Sequence, residues 1–192
     1  MSDWRALFRA RRSVRCFQSR PLPRALLVDW VEAARLAPSA ANRQPLEFII
    51  VDDPETTALL FPCLRWAASI SPRGDPPPGR EPAAYIVTLV NTAVRDKGYE
   101  YDVGAAMMSM TLAAWAEGVA GCWLISVDRE RVRTLLSVPE THVIDSVLAL
   151  GYPAETPQAE EGTGSVQYWK DDQGRMHVPK RRREDILHFN RY

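Results

Sequence analysis

The sequence is poor in the residues that build disulfide frameworks and metal sites. Its three cysteines, Cys16, Cys63 and Cys122, lie far apart and show no CxxC spacing. An odd, sparse set of this kind argues against disulfides and against a zinc site, and it is typical of the reducing cytoplasm. The three histidines also stand alone, without the spacing of metal ligands. We therefore expect a cytoplasmic protein without a bound metal.

Long apolar runs and an excess of one charge are also missing. No stretch approaches the ~18 consecutive apolar residues that a membrane-spanning helix needs, and no apolar leader segment opens the chain. The formal net charge is zero, so the overall field gives no reason to expect a membrane or nucleic-acid partner. The charge is unevenly placed, however, because residues 1–24 hold seven arginines and one aspartate. Such a local patch on a neutral protein favours a small anionic ligand.

Motifs of the common nucleotide-binding and hydrolytic enzymes are absent. No GxGxxG follows a predicted strand, and neither a GxSxG nor a P-loop is present. Any nicotinamide would therefore bind outside the standard dinucleotide crevice. No acid–base pair is evident, and Cys122 has no neighbouring base to activate it as a nucleophile. We assign no catalytic side chain, which is expected when a bound cofactor carries the chemistry.

Hydrophobic periodicity predicts an α+β chain that forms one domain over residues 1–192. The length suffices for a single substantial core, and 46% apolar with 25% charged residues is a globular composition. Helices are predicted over 4–10, 23–37, 101–117, 128–136 and 183–189, with another that opens at 52–54. Strands are predicted over 46–51, 84–90, 122–127 and 143–150, with a hairpin over 167–178 and a surface loop over 71–82.

Two central segments carry expectations about burial. The predicted helix 101–117 is apolar on nearly every side, so it must lie in the core or at an interface between subunits. Trp123 lies in an apolar predicted strand, where a tryptophan is more often a core residue than a stacking partner for a ligand. We therefore expect Trp123 to be buried.

The first candidate ligand site is the arginine-rich stretch 11–15, between the first two predicted helices. Arginine donates planar, charged pairs of hydrogen bonds that match a phosphate group. Alternation lets Arg11 and Ser13 reach one phosphate while Arg15 reaches further along the same ligand. By spacing alone, a solvated basic turn is the more common explanation.

The second candidate is the segment 38–45, which follows the second predicted helix. Its small residues permit a close approach, and the amides of Asn42 and Gln44 both donate and accept hydrogen bonds. Such amides suit the edge of a heteroaromatic ring. Taken alone, an ordinary turn rich in Ser and Asn explains the segment better.

A second basic segment, 179–183, lies near the C-terminus. By itself it resembles a basic tail or a nucleic-acid-binding patch, although it is short and has no aromatic stacking platform beside it. A second clamp on a phosphate is the alternative.

Taken in order along the chain, these segments resemble the nitroreductase family of FMN enzymes. The resemblance rests on 11–17 (RRSVRCF), 37–45 (APSAANRQP), 102–106 (DVGAA), 118–126, 150–153 (LGYP) and the late basic segment. It implies the family's three-layer α+β fold, in which helices flank a central, mainly antiparallel sheet. It also implies an intertwined homodimer with two FMN sites at the interface.

The resemblance gives the arginine-rich stretch separate roles. Arg11 and Ser13 match phosphate ligands, with Arg12 beside them. Arg15 matches the basic residue that reaches the pyrimidine edge of the flavin. A cation there would stabilise the charge of the reduced ring and so favour hydride uptake.

The resemblance assigns three further groups to the cofactor. Ile125 and Ser126 match the backbone strip near the ring and its N5 atom. Lys180 and Arg182 match a late phosphate clamp. The residues matched to the contribution of the other subunit are Pro38, Ser39, Ala40 and Asn42, and Gln44 is expected beside them.

The implied activity is reduction of nitroaromatics, quinones or flavins by NADH or NADPH, in a ping-pong hydride transfer through flavin N5. Alternatives are a flavin-binding or storage protein without turnover, a reductive dehalogenase, and an enzyme that fragments the flavin. The identity of the oxidant stays open, because Met108-Ser109 stands where the family often has Glu-Asn or Gln-Asn. The segment before Asp102 also leaves little room for an inserted lid helix. The loop 71–82 is the alternative segment that could cover part of the site.

Overall fold

The computed structural model describes residues 4–162 and 164–192, whose helices and strands form three layers. The helices are α1 (Trp4–Ala10), α2 (Arg24–Arg35), α3 (Pro54–Leu60), α4 (Glu100–Ala116) and α5 (Arg129–Leu136). The strands are β1 (Leu46–Val51), β2 (Ala84–Asn91), β3 (Ala120–Leu124), β4 (His142–Gly151), β5 (Gln158–Glu161), β6 (Trp169–Lys170) and β7 (Met176–Lys180). Within the described residues, no helix is both long and apolar enough to cross a membrane.

The central sheet has the order β1-β2-β4-β3, and every neighbouring pair is antiparallel. Ile86 and Leu148 enter one core together with residues of α2 and α4. Tyr85 and Val147 enter a second core on the opposite face, together with residues of α3 and α5. Burial on both faces explains why the strands appear in the sequence as continuous apolar runs. The predicted α+β fold, an antiparallel sheet flanked by helices, is confirmed.

Local signals set several helix ends. The Asp53 and Asp128 side chains accept hydrogen bonds from Thr56 N and Arg131 N at the starts of α3 and α5, as N-cap residues do. Gly118 follows α4 with a φ of 76°, a left-handed conformation that glycine adopts without steric cost. These ends are therefore specified by the sequence nearby.

Helix α4 buries one side and exposes the other. Val103, Met107 and Met110 are buried in the core beneath α2, whereas the side chain of Tyr101 is 82% exposed and that of Met108 is 41% exposed. Within the described chain, the exposed side of this apolar helix is left without an apolar cover.

A smaller sheet in the order β5-β7-β6 follows the central one. β5 pairs with β7 in parallel, and β6 pairs with β7 as the antiparallel hairpin predicted over 167–178. In its turn, Asp171 N donates to the Arg175 carbonyl, and Gly174 N donates to the Asp171 carbonyl.

Three details differ from the sequence-based expectations. Trp123 is 43% exposed instead of buried, because strand alternation turns Cys122 and Leu124 inward. β3 ends at Leu124, three residues earlier than predicted. The helix predicted over 183–189 is only a 3-10 turn, Arg183–Asp185. The apolar residues after that turn are exposed and have no core to pack against, and short helices need such packing.

Candidate functional site

The arginine-rich stretch lies along the edge of the central sheet, next to β3. Val14 N donates to the Gly121 carbonyl at 3.2 Å. The Val14 and Phe17 side chains are buried in a small core with Ala120. The polar residues that alternate with Val14 are therefore left at the partly exposed surface.

Glu155 holds the end of this stretch by hydrogen bonds. No sequence pattern predicted this role. Its Oε1 atom accepts hydrogen bonds from the backbone N–H groups of Arg15 and Cys16. Ala154 N in turn donates to the Cys16 carbonyl at 2.8 Å. The loop 71–82 ends beside this point, since Phe17 N donates to the Arg80 carbonyl at 3.0 Å.

Arg11 and Arg12 are two half-buried cations side by side. Burial lowers the pKa of both guanidinium groups, and the charge of Arg11 lowers the pKa of Arg12 further. Arg12 donates from Nη1 to the carbonyls of Phe8 and Arg11. Its Nε is buried and has no hydrogen-bond partner in the described chain. A bound anion would satisfy this donor and offset the repulsion between the two cations.

Arg15 is turned towards different neighbours. Its guanidinium carbon lies 5.5 Å from the centroid of the Tyr168 ring, within the range of a cation–π contact. Burial raises the pKa of the Cys122 thiol, and the nearby Arg15 charge opposes that rise. The Nε of Arg15 is a second buried donor that meets no partner among the residues described.

Tyr168 connects Arg15 to the small sheet that carries the second basic segment. It directly precedes β6, which pairs with β7, and β7 ends at Lys180. Arg182 is the residue before the 3-10 turn that follows. Lys180 is thus the last residue of the sheet that meets Arg15, and Arg182 lies two residues beyond it. No hydrogen bond joins the two basic segments within residues 4–162 and 164–192.

The predicted backbone strip at Ile125 and Ser126 emerges from the end of β3. Ile125 is 65% exposed. Arg129 Nη2 donates to the Ile125 carbonyl at 3.2 Å, and Arg65 N donates to the Ser126 carbonyl at 3.1 Å. Val14 pairs with the start of β3, and this strip follows the end of β3. The arginine-rich stretch and the strip are therefore arranged along the same edge of the sheet.

The segment 38–44 is attached elsewhere, at the start of α4. Asp102, which is 4% exposed, accepts hydrogen bonds from Ser39 Oγ and Ala40 N, both at 3.0 Å. Arg95 Nη1 lies 3.4 Å from the same carboxylate. Apart from the position of Asp102 in the family pattern, no sequence signal predicted this anchor.

Residues 41–44 form a strained turn. Ala41, Asn42 and Gln44 have φ angles of 53°, 53° and 51°, a left-handed region that residues other than glycine rarely adopt. Gln44 N donates to Ser39 Oγ at 2.9 Å, which closes the turn. The turn leaves Asn42 and Gln44 exposed, as a role in contacting a ligand would require.

Within a single chain, the turn stays apart from the arginine-rich stretch. No hydrogen bond or ion pair joins 38–44 to 11–15 among the described residues. Beside Pro38 and Ser39, a cleft of about 390 Å³ opens between α2, β1 and α4. The structure therefore places 11–15 beside β3 and next to the small sheet, with 125–126 directly after the end of β3. It leaves 38–44 in a separate place.

Comparison with known proteins gives matches over most of the chain. The model of the Nitroreductase family matches residues 8–152. An Archaeoglobus fulgidus protein, provisionally named NADH dehydrogenase/NAD(P)H nitroreductase, is 30% identical over 164 residues, which are 81% of this chain and 88% of that one. A Parabacteroides distasonis crystal structure with the same provisional name superposes with a TM-score of 0.69 at 25% identity, over 86% of this chain and 95% of that one. The 5,6-dimethylbenzimidazole synthase of Rhodospirillum rubrum is 28% identical over 78% of this chain and 82% of its own.

Proposed function

The chain belongs to the nitroreductase family, and we propose that it is an FMN-dependent oxidoreductase that uses NADH or NADPH to reduce nitroaromatics, quinones or flavins. The observation that carries the proposal is the pair of buried, unpartnered Nε donors of Arg12 and Arg15 on one backbone segment. The name of the Archaeoglobus relative, an NAD(P)H nitroreductase, supports the same class of reaction.

The residues at this edge of the sheet suit FMN. Arg11, Arg12 and Ser13 would hold the phosphate, where an anion relieves the crowding of the two cations. Arg15 would meet the pyrimidine edge of the ring and stabilise the negative charge that reduction brings there. Bound FMN supplies hydride acceptance and delivery, which no side chain of this site offers.

Lys180 and Arg182 extend the positive charge around the phosphate in this proposal. Lys180 ends β7 and Arg182 follows it, and the sheet of β7 already meets Arg15 through Tyr168. Both basic segments of the sequence then serve one anionic ligand, which explains them better than two unrelated solvated patches.

A homodimer completes the proposed site. The exposed side of α4 around Tyr101 and Met108 is apolar, and exposed apolar surface of this kind marks interaction sites. In the dimer that the family resemblance implies, the turn at 41–44 of one subunit would meet the arginine-rich stretch of the other. A two-fold axis would repeat this contact at the second site. Asn42 and Gln44 would then contact the ring, beside Pro38, Ser39 and Ala40.

The connection between β2 and α4 favours an open site with broad acceptor tolerance. β2 ends at Asn91 and α4 begins at Glu100, so the eight intervening residues leave no room for a helical lid. Small oxidants would therefore reach the exposed face of the ring directly.

Absorbance spectroscopy and turnover test the proposal. The purified protein should show bound flavin, or take up added FMN, and should oxidise NADH or NADPH with menadione or nitrofurazone as the acceptor. A colourless protein that does not bind FMN would refute the proposal. Flavin bound without any turnover would instead identify a storage protein.

A second candidate is oxygen-dependent fragmentation of the flavin. The compound in the name of the Rhodospirillum rubrum relative, 5,6-dimethylbenzimidazole, contains the dimethyl-substituted benzene ring that flavin also carries, and this shared ring favours the candidate. Stopped-flow mixing of the reduced enzyme with oxygen separates the two functions. Full return of the flavin spectrum supports the oxidoreductase, whereas loss of the flavin supports fragmentation.

A further inference from the structure

The strip that follows β3, residues 125–127, is held by its carbonyl groups. Arg129, the first residue of α5, donates to four backbone carbonyls: those of Ile144 at 2.8 Å, Asp145 at 2.9 Å, Ile125 at 3.2 Å and Val127 at 3.5 Å. One side chain thereby joins the strip to the start of β4.

The other side of the strip is fixed by the segment after α3. Arg65 N donates to the Ser126 carbonyl at 3.1 Å, and Asp128 N donates to the Cys63 carbonyl at 2.8 Å. All three carbonyls of the strip therefore accept hydrogen bonds from the protein. β3 ends at Leu124, directly before the first of these carbonyls.

The held carbonyls determine where the amides point. A trans peptide unit is planar, with its C=O and N–H on opposite sides. The contact between Arg129 and the Ile125 carbonyl therefore directs the N–H of Ser126 away from Arg129. Within the described residues, neither Ile125 N nor Ser126 N donates a hydrogen bond, and both residues are exposed. A ligand along this strip would meet a fixed, unpaired donor.

We propose that Arg129 is a positioning residue that fixes the N–H of Ser126 towards the bound flavin. This inference rests on the proposed function and on the family resemblance, which implies that Ile125 and Ser126 lie near the ring and its N5 atom. Arg129 itself touches no cofactor, since its donors face backbone carbonyls of its own chain. Its contribution is to hold a donor at the N5 edge of the ring before the cofactor binds, so that no ordering is needed at binding.

The chain offers a matched comparison in Arg133, one turn further along α5. Its guanidinium also donates to three backbone carbonyls, those of Val138 at 3.1 Å, Pro139 at 2.7 Å and His142 at 2.9 Å. The carbonyls of Val138 and Pro139 belong to the connection between α5 and β4, and that of His142 to the first residue of β4; none of them belongs to the strip. Loss of Arg133 therefore removes a similar set of bonds from the same helix without releasing residues 125–127.

The test compares Arg129→Met with Arg133→Met in the full chain. We expect Arg129→Met to speed amide hydrogen exchange in the peptide 124–128 of the flavin-free protein, at the bonded amide of Asp128 that directly follows the strip. The same change should weaken FMN binding about tenfold, or about 1.4 kcal/mol. The reduction potential should rise, because oxidised N5 accepts a hydrogen bond and reduced N5 carries its own hydrogen. Arg133→Met should leave exchange in this peptide, FMN affinity and the potential close to wild type.

Three outcomes would overturn the inference. One is wild-type exchange in the strip of Arg129→Met, another is an unchanged FMN affinity and potential, and the third is an equal shift in Arg133→Met. If Arg129→Met does not fold, Arg129→Lys keeps the charge, reaches fewer carbonyls and should give a smaller shift in the same direction. If the wild-type protein binds no FMN, the proposed function and the flavin part of this inference both fail. The exchange experiment still decides whether Arg129 holds the strip.

Discussion

The hydroxyl of Ser39 donates to the carboxylate of Asp102 at 3.0 Å, across a separation of 63 positions in the chain. The same carboxylate accepts from Ala40 N and faces Arg95. A nearly fully buried aspartate on α4 therefore determines where the segment 38–44 lies. Any contribution of this segment to a partner subunit depends on a residue that would not itself touch the cofactor.

Replacement of Asp102 should release this segment. Asp102→Asn replaces one carboxylate oxygen by an NH₂ group, which cannot accept the hydrogen bonds that this oxygen received. The change also leaves Arg95 without its buried ion-pair partner. We expect a loss of roughly 2–4 kcal/mol in the free energy of unfolding, measured by urea denaturation of the flavin-free protein. The exposed neighbour Asp96 supplies the control, since Asp96→Asn should change little. Equal stability of the two variants would contradict the anchoring role.

Removal of Arg11 tests the phosphate site. Arg11→Ala should weaken FMN binding by roughly 1.5–3 kcal/mol, as expected for a lost hydrogen bond to a charged group. Titration of the flavin-free protein with FMN, followed by fluorescence quenching, measures the change. Arg9→Ala removes a nearby exposed charge from α1 and should have a much smaller effect. Unchanged FMN retention in Arg11→Ala would argue against the proposed phosphate contact.

Removal of Arg15 should act on redox chemistry more than on affinity. The guanidinium lies at the sheet edge near Tyr168 and Cys122, where, in the proposed site, its positive charge would stabilise reduced flavin. We expect Arg15→Ala to lower the two-electron reduction potential by roughly 30–60 mV, which corresponds to about 1.4–2.8 kcal/mol. Equilibration with redox dyes measures this shift. A potential equal to that of the wild type would remove the proposed role.

His177 on β7 lies between two carboxylates and stacks on Trp169, with 4.1 Å between the ring centroids. Nδ1 faces Glu160, and Nε2 lies 3.1 Å from Asp171 Oδ2. The hydrogen bond with Glu160, followed by that with Asp171, raises the pKa of His177. Only the imidazolium can donate from both nitrogens, so this arrangement is complete only when His177 is protonated.

The pH dependence of stability follows from this raised pKa. The stabilisation is fully present below the unfolded-state pKa of about 6.5 and is lost as pH rises through the higher folded-state value. The urea midpoint should therefore decrease as the pH rises above about 6.5 and through the folded-state pKa of His177. His177→Gln should remove this dependence, whereas His188→Gln should retain it. A midpoint that is flat with pH in the wild-type protein would contradict the prediction.

Much of the fold could be predicted from the sequence, because its signals are local. The central strands are short apolar runs, and burial on both faces of the sheet requires such runs. Asp53, Asp128 and Gly118 mark helix ends through contacts within a few residues. The order of the arginine-rich stretch, the turn at 38–45 and the late basic segment likewise sufficed to predict the family. The match to the family model confirms that prediction.

The tertiary structure decided which residues hold the candidate site in place. Glu155 meets Arg15, Asp102 meets Ser39, and Arg129 reaches Ile144, each across a long stretch of chain. A carboxylate or guanidinium gains these partners only when separate elements pack together, so no local pattern marks it. The sequence by itself determined which segments could bind a ligand, and long-range hydrogen bonds determined where each segment lies and which way it faces.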